Sequence, residues 1–96
     1  MELHELLEKV TDSNSFLEFV HALHDDRLKS VAKEANEPSS SFGANSGGWE
    51  NQTIEAFLDG AASWAEATNL GVSQGIPESN YWMRFAVFLY CGKIYE

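Results

Sequence analysis

The sequence predicts an all-α protein: a small compact bundle of three main helices with a shorter helix at its N-terminus. Apolar residues recur every three or four positions over long stretches, which is the spacing of amphipathic helices. The chain is 44% hydrophobic and 12% aromatic, a composition that favours a packed core over a disordered chain. Its 96 residues predict a single domain over 1–96.

The first two helices are predicted at about 2–10 and 13–35. In the first, leucines and a valine follow the helical period. Asp12 is a candidate N-cap for the second helix, and Ser15 with Glu18 three residues later offers a capping box as an alternative start.

A loop rich in Ser, Gly and Asn is predicted over 36–51. Phe42 and Trp49 are its two large apolar residues, and we expect at least Trp49 to contact the core. Loops of this length are uncommon inside compact domains and are often functional.

The third helix is predicted to begin after Asn51 or Thr53, both good caps. Gly60 lies inside it, and the close approach of a neighbouring helix would explain a glycine there. The fourth helix is predicted from Ser79 or Asn80 to Lys93. It is apolar over more than one face, so we expect it to be central in the bundle or part of an oligomer contact.

The residues on these apolar stripes form the predicted core. They are Leu6, Phe16, Phe19, Val20, Leu23, Ile54, Phe57, Leu58, Ala61, Trp64, Trp82, Phe85, Ala86 and Leu89.

The net charge of the chain limits the classes of partner that it can bind. The formal net charge is −9, and no lysine or arginine lies between Lys33 and Arg84. Such a chain repels phosphates, so we expect no binding to nucleic acid. Because no apolar run is long enough to cross a bilayer and the first residues are acidic, we expect a cytoplasmic protein without a membrane contact.

An acidic stripe on the third helix is the leading candidate interaction surface. Glu55, Asp59 and Glu66 share one side of that helix. Opposite charge steers association, so a basic protein is the expected partner. Trp49 and Glu50 join the candidate surface, because tryptophan is enriched in interface hot spots. The predicted function is a non-enzymatic interaction module with an immunity-like or regulatory role, and a solvated surface is the alternative interpretation of the stripe.

Two further hypotheses stay open. One is a metal or small-molecule site near His21 and His24 or the Trp49 loop; the histidines are three residues apart, but no third ligand is identifiable. The other is homodimerisation through Tyr81, Phe88 and Tyr90. Cofactors and catalytic residues are not predicted: Cys91 lies in an apolar helix, where cysteine behaves as a small hydrophobe.

Several pieces of the chain together resemble a family of small acidic bacterial proteins catalogued as a domain of unknown function. The most specific are Trp49-Glu50-Asn51 before the third helix and the C-terminal Lys93-Ile94-Tyr95-Glu96. The resemblance implies a small intracellular domain with no established activity, and it places no site residue on this sequence.

Overall fold

The computed structural model describes residues 2–36 and 48–95, without the side chains of residues 34–36. These ranges are helical and contain no strand, so the predicted all-α fold is confirmed. The helices are α1 (Leu3–Glu8), α2 (Ser13–Asn36), α3 (Ile54–Thr68) and α4 (Tyr81–Ile94), and the sequence did not predict the short 3-10 helix Val72–Gln74. The expectation for Phe42 falls outside the described residues.

Polar side chains set the helix starts. The Asp12 carboxylate accepts a hydrogen bond from the Ser15 N–H at 2.8 Å, and the Ser15 hydroxyl accepts one from the Asp12 N–H at 3.1 Å. Asp12 is therefore confirmed as the N-cap of α2, with Ser15 as its partner three residues later, and the alternative start at Ser15 with Glu18 is wrong because α2 begins at Ser13. The hydrogen bonds that the Ser15 N–H and hydroxyl donate to the Asp12 carboxylate hold the pKa of Asp12 below its usual value. Thr53 and Asn80 each accept a hydrogen bond at 3.1 Å from the backbone N–H three residues later, which confirms them as caps of α3 and α4.

Helix α4 lies at the centre of the bundle, as one of the two alternatives predicted. It contacts α1, α2 and α3, whereas α2 and α3 lie on different sides of it and are not neighbours in the described part of the chain. α3 runs antiparallel to α4: Phe57 near the start of α3 packs on Gly92 near the end of α4. At the opposite end, Arg84 donates a hydrogen bond to the Leu70 carbonyl, which follows α3, at 3.1 Å.

Ten of the 14 predicted core residues are buried or half-buried. Phe19, Leu23, Ala61, Trp64 and Ala86 are all buried. A further five predicted core residues are half-buried, namely Leu6, Phe16, Val20, Phe57 and Leu89. Burying a side chain as large as Trp64 or Phe19 stabilises the fold by roughly 2–3 kcal/mol.

Four predicted core residues are exposed, and that part of the prediction is wrong. The exposed fractions are 79% for Ile54, 54% for Leu58, 51% for Phe85 and 37% for Trp82. The cause is the way α3 faces α4. Its buried residues include Gly60, Ala61 and Trp64, so Ile54 and Leu58 lie at the edge of the buried arc, where α4 does not cover them.

Gly60 explains that orientation. A Cβ at this position would lie 2.5 Å from both the Asn51 side-chain nitrogen and the Tyr95 carbonyl oxygen. The close approach predicted for this glycine is therefore confirmed, although the chain that approaches is the end of α4 and the Asn51 side chain rather than a helix face. No described helix has the length and hydropathy needed to cross a bilayer.

Candidate functional site

Trp49 is held by a buried ion pair. Its indole N–H donates to the Asp26 carboxylate at 2.8 Å, and the Lys93 ammonium donates to the same oxygen at 2.8 Å. The Lys93 nitrogen and the Arg27 guanidinium lie 5.5 Å and 5.2 Å from the centre of the indole ring. The side chain of Lys93 is 9% exposed and that of Asp26 is 30% exposed, so this pair lies largely out of water and tightly defines the position of Trp49.

Asn51 binds the C-terminal end of α4. Its side-chain amide donates to the Gly92 carbonyl at 2.9 Å and to the Tyr95 carbonyl at 2.7 Å. The backbone N–H groups of Glu50 and Asn51 donate to the Lys93 carbonyl at 3.1 and 3.3 Å. The last carbonyls of a helix lack hydrogen-bond partners within the helix. The segment 49–51 supplies the missing donors. The two sequence motifs that carried the family resemblance therefore meet in space.

This arrangement corrects the prediction for Trp49. The residue is 4% exposed and packs beside Phe57 with ring centroids 6.2 Å apart. A buried indole cannot present itself as an exposed hot spot, so its role is to attach residues 49–51 to the bundle, as also expected for the loop. Glu50 is exposed.

The acidic face of α3 consists of Glu55, Asp59 and Glu66. All three residues are exposed. Their separations of four and eleven residues are close to whole helical turns, so they share one side. Helix α3 contains no lysine or arginine, and like charges four residues apart destabilise a helix by about 0.2–0.5 kcal/mol. The helix therefore carries an uncompensated row of negative charge.

An apolar groove of about 330 Å³ lies beside this face, between α2 and the start of α3. Its apolar lining residues are Val20, Leu23, Trp49, Ile54, Phe57 and Leu89. His24, Arg27 and residues 51–53 complete its rim. The groove exists because α2 and α3 pack on α4 rather than on each other.

Exposed apolar side chains extend the groove along the helices. Residues four apart on a helix share a face, so Leu58 continues the line of Ile54 on α3, and Phe85 continues the line of Leu89 on α4. Trp82 packs edge-on against Phe85 with ring centroids 6.2 Å apart. Of the four exposed residues that were assigned to the core, Ile54 therefore lines the groove and the other three lie further along α3 and α4.

The metal hypothesis gains no support from the described residues. His21 and His24 are both exposed, and no group of three His, Cys, Asp or Glu side chains in residues 2–36 and 48–95 is positioned to hold a metal ion. A separate polar pocket of about 480 Å³ lies next to the Lys93–Asp26 pair and is lined by residues that include His4, Asp25 and Lys29. Its charged groups are of both signs.

The aromatic residues proposed for a homodimer do not form one exposed set. Tyr81 is 62% exposed, whereas Phe88 and Tyr90 are half-buried. The Tyr90 ring packs against Phe19 with centroids 6.5 Å apart. Cys91 is buried, and desolvation raises the pKa of its thiol to about 11.

Sequence reasoning missed the Asp26–Lys93 pair. Lys93 was placed in the last turn of α4 for its interaction with the helix dipole, not as a buried partner. One signal was present: Phe19, Leu23 and Asp26 follow the helical period, so Asp26 falls on the buried stripe of α2. A carboxylate on such a stripe requires a partner.

Comparison with protein families identifies residues 12–96 with a family of unknown function, DUF7660. The match spans most of the chain, including both the Trp49–Asn51 and the Lys93–Tyr95 segments. Neither the curated proteins nor the solved structures yield a match. The chain belongs to this family of unknown function, as its resemblance predicted.

Proposed function

We propose that this protein is a non-enzymatic interaction module that binds a basic protein partner through the acidic face of α3. The observation that carries the proposal is the unrelieved exposure of Glu55, Asp59 and Glu66 beside exposed apolar residues. Ile54 and Leu58 precede Glu55 and Asp59 directly in the sequence, and successive helical residues are about 100° apart, so the exposed apolar pair lies on the side of α3 next to the acidic face.

A purely solvated surface would not need both features. An exposed isoleucine and leucine gain nothing for a solvated helix, and the row of like charges costs stability. Both features favour binding: opposite charge accelerates encounter with a cationic partner, and apolar contact then lengthens the life of the complex. An immunity-like or regulatory role, in which the module masks a basic protein, fits this chemistry.

The experiment compares two variants with equal net charge. The partner is first identified by cross-linking and mass spectrometry in the native host and then purified. Its association rate is measured at low and high salt with wild-type protein and with the triple variant E55K/D59K/E66K. The control is E8K/E18K/D25K, which reverses three exposed acids on α1 and α2.

We expect the α3 variant to slow association at least about ten-fold at low salt, and high salt to shrink the difference. The control should slow association much less, because its charges lie on other helices. Equal effects of the two variants would show that only total charge matters and would contradict a site on α3. Circular dichroism checks that both variants keep the helical fold.

A further inference from the structure

Four large apolar side chains at the apolar groove or along the helices that form it are not covered by the described chain: Ile54 lines the groove, and Leu58, Phe85 and Trp82 lie further along α3 and α4. Ile54, Leu58, Phe85 and Trp82 are 79%, 54%, 51% and 37% exposed. Isolated apolar residues are common on protein surfaces, but a contiguous set around a concave apolar site marks an interaction surface. Exposed apolar surface therefore extends beyond the residues that line the groove.

The shape of the groove matches a helix. Its walls are α2 and the first turn of α3, which contribute Val20, Leu23, Ile54 and Phe57, and α4 contributes Leu89 to its floor. Helix α3 continues beyond this turn for a total of 15 residues, or about 22 Å at 1.5 Å per residue. A groove between two helices over a third is where a further helix packs in a bundle, and amphipathic helices dock into such grooves through apolar residues at i, i+3, i+4 and i+7.

Charge decides between a partner and a second copy of this chain. The acidic face of α3 borders the groove through Glu55 and Asp59, next to Ile54 and Leu58. A second copy would bring another chain of formal net charge −9 to this edge, and like charges oppose that contact. A cationic helix would meet complementary charge along α3 instead, while Arg27 on the rim is held by the Gln52 carbonyl and the Trp49 ring.

We propose that the groove between α2 and α3 binds an amphipathic helix of the partner, with its apolar face on Leu58, Phe85 and Leu89 and its basic edge against Glu55 and Asp59. This inference rests on the proposed function and adds the class of partner segment. The acidic face draws the segment in, and the groove requires it to be helical with one apolar side.

The test uses three designed peptides of about 18 residues. The first is a helix with leucines on one face and lysines beside them. The second has the same composition in scrambled order, so it keeps the charge but has no apolar face. The third keeps the leucine face and replaces lysine by glutamate. Binding is followed by Trp fluorescence, since Trp49 lines the groove, and by NMR shift mapping.

Variants locate the binding site on the protein. Phe85→Gln and Leu58→Gln remove groove contacts without changing charge. Ile94→Gln is the matched control: Ile94 is 40% exposed, and it lies nine residues after Phe85 on α4, about two and a half turns away and therefore on the opposite side. The charge-reversed variant E55K/D59K/E66K is measured in parallel.

We expect the cationic amphipathic peptide to bind at least about ten-fold more tightly than the other two, and each groove variant to weaken it about ten-fold while the control leaves it unchanged. If both cationic peptides bind equally and only charge reversal matters, the groove inference fails while the proposed function stands. If no peptide binds and charge reversal changes nothing, both fail. If sedimentation shows a wild-type dimer that Phe85→Gln dissociates, the occupant is a second copy and the inference is overturned.

Discussion

At the scale of single residues, the Asp26–Lys93 pair is a charge-assisted interaction that also holds Trp49. One Asp26 oxygen accepts hydrogen bonds from both the Lys93 ammonium and the Trp49 indole, at 2.8 Å each. Its energetic role is to position Trp49 and the end of α4, because a buried charge is costly unless its partner is present.

Removal of the carboxylate should destabilise the fold more than removal of the ammonium. Asp26→Asn leaves Lys93 buried without a counter-charge, and we expect a loss of about 2–4 kcal/mol in the free energy of unfolding. Lys93→Met leaves a carboxylate that still accepts from Trp49 and partly contacts water, so the loss should be smaller. Urea unfolding followed by circular dichroism measures both variants.

The double variant and a neighbouring residue provide the controls. Asp26→Asn with Lys93→Met should cost less than the sum of the single changes, because no unpaired charge remains. Asp25→Asn, at an exposed position, should change stability by less than about 0.5 kcal/mol. Additive losses in the double variant would show that the two groups do not act as a pair.

Cys91 offers a second test at this scale, based on its pKa. Burial raises the pKa of the thiol to about 11 from 9.0, so the folded protein holds this proton more tightly than the unfolded chain. Its contribution to stability is fully present below pH 9 and is lost as the pH rises through 11. At neutral pH the thiol should react with an aromatic disulfide reagent far more slowly in the native protein than in urea. Equal rates would show that Cys91 is accessible.

At the scale of elements, hydrogen bonds from residues outside the helix determine how α4 ends. Asn51 supplies two donors to carbonyls at the end of α4, and Gly60 leaves the space that these groups occupy. The short segment 49–51 therefore joins the start of α3 to the end of α4. The Asn51 side-chain amide provides both of the N–H donors that make this connection.

Replacement of the Asn51 side-chain amide should show that this group acts as a hydrogen-bond donor to the end of α4. Asn51→Ala leaves two carbonyls without a partner, and we expect a loss of about 1–3 kcal/mol. Asn51→Asp puts an acceptor against two acceptors at the negative end of a helix dipole, so the loss should be larger at neutral pH. Thermal unfolding at several pH values measures both variants.

The pH dependence distinguishes this role from simple packing. In Asn51→Asp the folded state favours a protonated carboxyl, so its pKa should rise on folding and the lost stability should return as the pH falls toward 4. Gln52→Glu, an added acid at an exposed neighbouring position, should show no such recovery. A variant Asn51→Asp with the same pH profile as this control would contradict the hydrogen-bond assignment.

The sequence predicts the helices far better than it predicts which of their sides are buried. Caps such as Thr53 and Asn80 can be identified from the sequence, because capping depends on neighbours within one turn. Ile54 and Leu58 share the apolar period of α3 with Ala61 and Trp64, and a periodic pattern cannot show which part of a wide apolar arc another helix covers. That choice depends on a contact distant in the sequence, between Gly60 and residues at the end of α4.

The same limit applies to the candidate site. The acidic face was predictable because its residues lie on one helix, and the structure places all three on one exposed side. The groove was not predictable, since it arises from the packing of α2 and α3 on different sides of α4. Ile54, Leu58, Phe85 and Trp82 were assigned to the core from their spacing alone, and the described chain leaves them exposed.

At the scale of the whole molecule, net charge opposes folding. The chain carries 15 acidic against six basic residues, for a formal net charge of −9, and few described ion pairs offset the repulsion. Compaction brings these charges closer, so self-repulsion destabilises the folded state more than the unfolded chain. An excess of acid is therefore a cost to stability that a function in charge-steered binding would explain.

Because salt screens the repulsion among the acidic residues, we expect the stability of the fold to increase with salt concentration. Raising sodium chloride from about 10 mM to about 500 mM shortens the screening length to a few ångströms, and we expect the melting temperature to rise by roughly 4–8 °C, which corresponds to about 1 kcal/mol in a domain of this size. The variant E8K/E18K/D25K has a formal net charge of −3 instead of −9, so its melting temperature should rise much less. A rise of equal size in both proteins would assign the effect to general strengthening of apolar contacts by salt, and a fall in the wild type would show that ion pairs outweigh the repulsion among its acids.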